Sequence, residues 1–341
     1  VSILVMVLAI AGGWWAAALR PDTRPALTSA LDALPARTTI VGFTDWKQVR
    51  EHLGLDAVDT RGERAALMNE ASLRDLATRS VLTTNVEVMH DKLGWSPADI
   101  EWEVYGQDRV GSAAVVRLDG SVSFDDVRAK LRAAGYRQSG RTWSAGKSTG
   151  LPGILVSVAL VPRQRLVVMS DQTRQIPDVL DVVDGRTPSL AGRRAAADTA
   201  RALVGSDSVI LQGGTLGCGS TAVTGDADLE RQARTAVDRA GALASYRFSG
   251  RGLVERGGSG FSAQRLVFAM TFGSAADASE QARVRALLTS GPFIGRNGPI
   301  ADTVRLRSDS TDEATVRLDF AHDPDTDVFM TGTGPVLFAS C

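Results

Sequence analysis

A run of eighteen uncharged, proline-free residues near the start of the chain constrains its architecture more than any other feature. The run, SILVMVLAIAGGWWAAAL, extends over Ser2–Leu19 and stops at an arginine. A helix of this length spans roughly 27 Å, close to the hydrocarbon thickness of a bilayer. Trp14 and Trp15 stand near its end, where indole rings favour the headgroup layer. We therefore predict a transmembrane helix within residues 1–20 that contacts membrane lipid, with both tryptophans as interfacial anchors.

Two alternatives to this anchor remain open. A cleaved signal peptide would use the small residues Ala16-Ala17-Ala18 as its cleavage site. A buried core helix would need complete enclosure, because the run is apolar all round. Flanking charges do not decide the orientation, since no basic residue precedes the run and the rest of the chain is too long for the loop-charge rule. We predict a single-pass cell-membrane protein with its body on the extracytoplasmic side.

The chain has two cysteines, Cys218 and Cys341. An even pair in an exported protein is typical of a disulfide, which also favours the extracytoplasmic side. The chain-entropy model assigns a bridge over so long a loop a stabilisation of up to about 4–5 kcal/mol. A reactive thiol at Cys218, within the glycine-rich segment 213–220, is the alternative. We predict the disulfide, and we expect segment 213–220 to be a loop.

The strand and helix patterns predict an α+β fold. A strand, a capped helix and an antiparallel hairpin occur in this order near residues 112–170 and again near 262–320. The first helix of this kind begins after Ser123, and Phe124, Val127 and Leu131 share one of its faces. We therefore predict two related modules, each an antiparallel sheet with helices. The predicted boundaries are an anchor at 1–20, a juxtamembrane linker at 21–37, a first module at 38–205 and a second at 206–341.

Part of the first module resembles a known family. The segments that show the resemblance are FDDVRAKLRAAGY (124–136), TWS (142–144), the hairpin at 154–169 and GRTPSL (185–190). They resemble an actinobacterial type of single-pass, extracytoplasmic envelope protein of unknown function, built from strand–helix–hairpin modules. The scarcity of lysine among the 38 basic residues is typical of such high-GC genomes. The resemblance implies an envelope protein with repeated α+β modules, and it implies no catalytic residues.

Two acidic clusters are candidates for chemistry. Asp323, Asp325 and Asp327 alternate, so their carboxylates could converge on a hard cation, although the segment lacks the later glutamate of a calcium loop. An acidic turn is the alternative. Glu101 and Glu103 flank Trp102 on one strand, as paired carboxylates do in a glycosidase cleft. A solvated strand face with Trp102 buried is the alternative there.

The loop GPFIGRNGP at 291–299 has apolar residues, Phe293 and Ile294, at its tip. These side chains would contact a lipid or a partner protein, or else pack into the core. A formal net charge of −1 argues against a nucleic-acid partner.

The patterns favour a noncatalytic, membrane-anchored cell-envelope protein without a cofactor or a bound metal. Its expected partner is another protein, a membrane complex, or an envelope lipid or glycan. The alternative is an envelope hydrolase that uses the acidic residues near Trp102. An apolar groove bordered by Phe293 and Ile294 would favour the first function. A cleft that holds Glu101 and Glu103 at suitable separation would favour the second.

Overall fold

The computed structural model describes residues 24–146, 151, 153–296, 298–332 and 334–341. In this part of the chain, ten α-helices pack on one twelve-stranded antiparallel sheet, so the predicted α+β class is confirmed. The strands are β1 Ile40–Thr44, β2 Ile100–Gln107, β3 Ser112–Leu118, β4 Arg137–Ser139, β5 Thr142–Ser144, β6 Ser157–Val161, β7 Leu166–Ser170, β8 Ser208–Gly213, β9 Phe248–Glu255, β10 Gln264–Thr271, β11 Val304–Asp312 and β12 Thr315–His322. The α-helices are α1 Ala26–Asp32, α2 Trp46–Leu53, α3 Arg61–Leu73, α4 Val86–Leu93, α5 Phe124–Ala133, α6 Gln175–Val183, α7 Arg194–Arg201, α8 Gly214–Thr221, α9 Ala227–Ala240 and α10 Ala275–Leu287.

The sheet is continuous through both halves of the chain. Its strand order is β11-β12-β10-β9-β8-β1-β2-β3-β7-β6-β5-β4. The central pair is β1 with β8, where Phe43 lies opposite Val209. From that pair the order β1-β2-β3-β7-β6 runs one way and β8-β9-β10-β12-β11 runs the other. The same strand order is therefore repeated on both sides of the centre, within one sheet.

Each face of the sheet carries its own apolar core. The front core contains Trp46, Phe268 and Phe338, and the back core contains Phe43 and Phe248. The residues come from both faces of the same strands, because successive side chains of a strand point in opposite directions. Helices α1, α6 and α7 cover the back, and α2 to α5, α10 and the C-terminal residues cover the front.

Local signals account for some helices and mislead for others. Helix α5 begins where expected: Ser123 accepts a hydrogen bond from the Asp126 N–H, and the face formed by Phe124, Val127 and Leu131 is buried. The prediction of a loop at 213–220 is wrong, since α8 occupies Gly214–Thr221. A side chain at position 214 would place its Cβ 2.1 Å from the Tyr246 carbonyl oxygen. The glycine there allows α8 to lie directly on the chain that leads into β9.

The C-terminal residues cross the front face as a strap, defined here as 323–332 and 334–341. Phe329, Met330, Val336 and Phe338 are completely buried in the front core. The predicted disulfide is confirmed, with the Cα atoms of Cys218 and Cys341 5.3 Å apart. The bridge ties the end of the strap to α8.

Buried charged side chains hold the strap along its length. The Asp75 carboxylate accepts the N–H groups of Phe329 and Met330, each at 2.8 Å. Arg251 donates to the Phe329 carbonyl at 2.8 Å. Arg285 donates to the carbonyls of Phe338 and Ser340 at 2.8 Å and to that of Ala244 at 3.0 Å. Since buried backbone groups need partners, these side chains let a segment whose regular structure is a single 3-10 turn, Leu337–Ala339, lie inside the core.

The transmembrane prediction, with Trp14 and Trp15, lies outside the described residues. Within the described ranges, no helix combines the length and apolarity needed to cross a bilayer.

Candidate functional site

An open groove of about 700 Å³ lies on the front side of the second half. Helix α9 forms one wall, and the end of α10 with the loop that follows it forms the other. Leu337 of the strap contributes to the lining, so the strap supports the groove from below. The lining residues are Arg231, Gln232, Thr235, Ala236, Arg239, Ala240, Leu287, Leu288, Ser290, Gly291, Pro292, Phe293, Ile294, Ile300 and Leu337.

The residues that α9 contributes form two stripes. Within each stripe the residues are four positions apart, so they lie along one side of the helix. Arg231, Thr235 and Arg239 form the exposed stripe. Gln232, Ala236 and Ala240 form the second, whose two alanines are half-buried and buried. Because alanine leaves space beside a helix, the groove opens along this stripe. The polar rim and the alanine-lined side of the groove therefore follow from the sequence of α9.

The opposite wall is apolar and well supported. Phe293 and Ile294 are buried, and Phe293 stacks on Phe329 of the strap, with ring centroids 6.4 Å apart and planes at 20°. The Arg296 guanidinium lies 5.2 Å from the Phe293 ring and 4.9 Å from the Phe329 ring, and it pairs with Asp327. These contacts fix the loop against the strap. The groove is consequently preformed rather than assembled from mobile side chains.

The charge around the groove has one sign. Arg231 and Arg239 are its charged lining residues, and neither aspartate nor glutamate is among those that line it. Arg231 is ion-paired with Asp228. Arg239 forms none of the ion pairs found among the described residues. The rim at Arg239 thus carries a positive charge without a carboxylate partner.

A second hollow of about 500 Å³ adjoins the groove at the start of α9. It shares Gln232, Pro292, Phe293 and Ile294 with the groove and adds Leu229. Leu287, at the other end, has 52% of its surface exposed. Apolar surface therefore continues along α9 from Leu287 to the loop and the second hollow.

The structure buries Glu103 beside Trp46 on the front of the sheet. Its carboxylate is buried and accepts hydrogen bonds from Trp46 Nε1 at 3.0 Å, Ser80 Oγ at 2.6 Å and the Val81 N–H at 2.7 Å. Burial raises the pKa of Glu103, and the three donors oppose that rise. With all three donors supplied by the protein, this carboxylate joins α2 and the chain after α3 to the sheet.

The other residues of that motif also have structural partners. Glu101 pairs with Arg117 on β3 at 2.9 Å. Trp102 is buried in the back core, on the opposite side of the sheet from Glu103. The two glutamates therefore do not face each other across a substrate-sized space, and the glycosidase alternative gains no support from them.

The carboxylates of Asp323 and Asp327 in the acidic segment have different partners. Asp323 accepts the Asp325 N–H at 3.1 Å within a turn, whereas Asp327 binds Arg296. His322 is buried, with Nε2 3.0 Å from the Asp327 carbonyl oxygen, and burial lowers its pKa. In the part of the chain that the structure describes, no group of three or more His, Cys, Asp or Glu side chains could hold a metal ion.

A further cluster of titratable groups lies where β1 and β8 meet. Burial raises the pKa of Asp45 to about 6 and also raises that of Asp207. Asp207 accepts the Glu255 N–H at 2.6 Å and Gln48 Nε2 at 2.7 Å, and it lies 3.0 Å from His52 Nδ1. The contact between His52 and Asp207, together with those of Gln48 and Glu255, joins α2 to the start of β8 and to β9.

The sequence predicts that Phe293 and Ile294 contact a lipid or a partner protein, or else pack into the core. The structure buries most of both side chains, and both also line the groove. The arginines of α9 were not singled out. The available signal was the four-residue spacing of Arg231, Thr235 and Arg239 beside a stripe rich in alanine.

No protein-family model matches the sequence, and no curated protein matches it. Among solved structures, the chain is distantly similar to two crystal forms of TP0453. For crystal form I the TM-score is 0.42 at 6% identity, over 89% of this chain and 93% of that chain. For crystal form III the TM-score is 0.37 at 6% identity, over 89% of this chain and 94% of that chain.

Proposed function

We propose that this is a noncatalytic binding protein of the cell envelope, and that the groove beside α9 takes the apolar chain of a lipid-like ligand. The apolar run at the N-terminus would anchor it, with the body outside the cytoplasm. The two halves would be related modules, of which the second carries the binding site. The expected partners are membrane lipid at the anchor and an envelope lipid in the groove.

The observation that carries this proposal is the preformed apolar groove bordered by Phe293 and Ile294. Small-molecule sites are typically concave, mostly apolar and a few hundred Å³ in volume, with a small number of polar groups. The groove has these properties. The acidic and histidine clusters are instead engaged in contacts within the protein, which favours binding over hydrolysis as the function.

The groove predicts that the protein binds a neutral apolar fluorophore such as N-phenyl-1-naphthylamine. Ala236→Trp would place an indole in the groove from the α9 wall, so we expect it to weaken binding by about tenfold, or roughly 1.4 kcal/mol. The measurement is a fluorescence titration of the full chain, with its apolar N-terminal run kept in solution by a nonionic amphipol, and the signal of protein-free amphipol is subtracted.

Ala227→Trp is the matched control, because Ala227 is exposed on the same helix and does not line the groove. The control variant should bind the fluorophore as the unaltered protein does. Equal binding by both tryptophan variants and the unaltered protein would show that the groove is not the site.

A further inference from the structure

The geometry assigns the groove a ligand class: an amphiphile with an anionic headgroup bound at Arg239 and a chain that lies along α9 toward the loop at 291–296. This inference rests on the proposed function and adds to it the charge and orientation of the ligand.

The charge of the ligand follows from the rim. A bound headgroup would meet Arg231 and Arg239 with no carboxylate among the lining residues to repel it. A cationic headgroup beside either arginine would face a like charge. The two arginines are separated by eight residues of helix, or about 12 Å, so a single compact headgroup contacts one of them rather than both.

The position of the headgroup follows from what each arginine already binds. Arg231 is paired with Asp228, so an incoming anion would have to compete with that carboxylate. Arg239 belongs to none of the ion pairs of the described residues. An anion gains more at Arg239, because no existing contact has to be broken there.

The direction of the chain follows from the apolar surface. Leu287 and Leu288 line the groove beside the end of α10, and the surface continues through Phe293 and Ile294 into the adjoining hollow. A chain that starts at Arg239 and runs toward the beginning of α9 stays on this surface over its whole length. The reverse direction would place the headgroup beside Arg231 and Arg296, which are already paired with Asp228 and Asp327.

The polar groups of the lining favour a lipid over a peptide. Besides the arginines, the polar side chains are Gln232, Thr235 and Ser290. An extended peptide would bring an N–H and a C=O with every residue, and burying these without partners is costly. An alkyl chain has no such requirement.

The test compares two lysolipids with the same palmitoyl chain, below their micelle concentrations and at low ionic strength. Lysophosphatidylglycerol is anionic, and lysophosphatidylcholine has no net charge. By isothermal titration we expect the anionic lipid to bind about fivefold more tightly, as one exposed charge contact allows. We expect Arg239→Gln to abolish this preference, and moderate salt to reduce it.

Arg234→Gln is the matched control, because Arg234 is exposed on α9 and does not line the groove. It should retain the full preference. Equal affinity for the two lysolipids, an equal loss in Arg234→Gln, or a loss confined to Arg231→Gln would each overturn the inference. Displacement of the fluorophore by poly-L-glutamate but not by the anionic lysolipid would replace the lipid with an acidic peptide.

Different results would contradict the groove as a binding site and the anionic class of its ligand. If the fluorophore binds but the lysolipids show no charge preference, the anionic class is wrong and the groove function stands. If neither the fluorophore nor either lysolipid binds, both are wrong.

Discussion

Replacing Arg285 by leucine is expected to lower the free energy of unfolding by about 3–4 kcal/mol. The Arg285 side chain is fully buried and lies over the rings of Tyr246 and Phe272. Its guanidinium donates to three carbonyls, two of them in the strap. Leucine fills much of the same space but leaves these buried carbonyls without a donor, and each unsatisfied group is costly. Urea unfolding followed by tryptophan fluorescence measures the difference.

The control for this substitution is Arg283→Leu, since Arg283 is exposed on the same helix. A surface change of this kind typically alters stability by about 0.5 kcal/mol or less. If Arg285→Leu were no more destabilising than Arg283→Leu, the strap would not depend on this arginine.

Loss of the disulfide is expected to have an effect of similar or larger size. Cys218 and Cys341 are 123 residues apart, and closing so long a loop stabilises the folded state by up to about 4–5 kcal/mol in the chain-entropy model. The paired substitutions Cys218→Ser and Cys341→Ser should therefore lower the urea midpoint strongly. Reductant should shift the unaltered protein to nearly the same midpoint.

The reductant experiment carries its own control. The double serine variant has no bridge to reduce, so its midpoint should be the same with and without reductant. An unaltered protein that is equally stable in both conditions would contradict the structural role given to the bridge.

Features set by local chemistry were predictable from the sequence. Helix α5 follows from its cap at Ser123 and the spacing of Phe124, Val127 and Leu131, all within one short segment. Helix α9, at Ala227–Ala240, follows from its cap, since the Asp226 side chain accepts the N–H groups of Asp228 and Leu229. The disulfide was also predictable, because two cysteines allow only one intramolecular pairing.

Features set by distant pairing were not predictable in this way. The single sheet depends on β1 and β8, where Ile40 pairs with Gln212 across the whole first half of the chain. No local pattern specifies that partner. The apolar pattern of residues 63–80 predicts one helix, but α3 ends at Leu73. Asp75 has a left-handed φ of 58° and directs its carboxylate to the strap.

Buried charges account for most of what sequence reasoning missed in the core. Arginine is almost never fully buried without a partner, so the sequence alone predicts that Arg251 and Arg285 lie at the surface. Burial lowers the pKa of each to about 10. Their partners are backbone carbonyls, which carry no sequence signal. Glu103 shows the same effect, since its donors come from residues 80 and 81 and from a tryptophan on α2.

The same distinction between local and long-range signals applies to the residues of the candidate site. Phe293 and Ile294 were recognisable because apolar residues at the tip of a glycine-rich loop are unusual. Whether they face solvent or the core depends on Phe329, which reaches them only through the strap. The opposing arginines of α9 become part of a site only when the sheet brings that helix beside the loop.

Hydrogen exchange with and without the anionic lysolipid tests the central claim most directly, because it locates the bound ligand on the chain. The account predicts slower exchange of backbone amides in α9, in the loop at 290–296 and at Leu337–Ala339, with little change at β1, β2 and α2. Protection around Glu103 and Trp46 instead, or no protection beside α9 at saturating lipid, would contradict it.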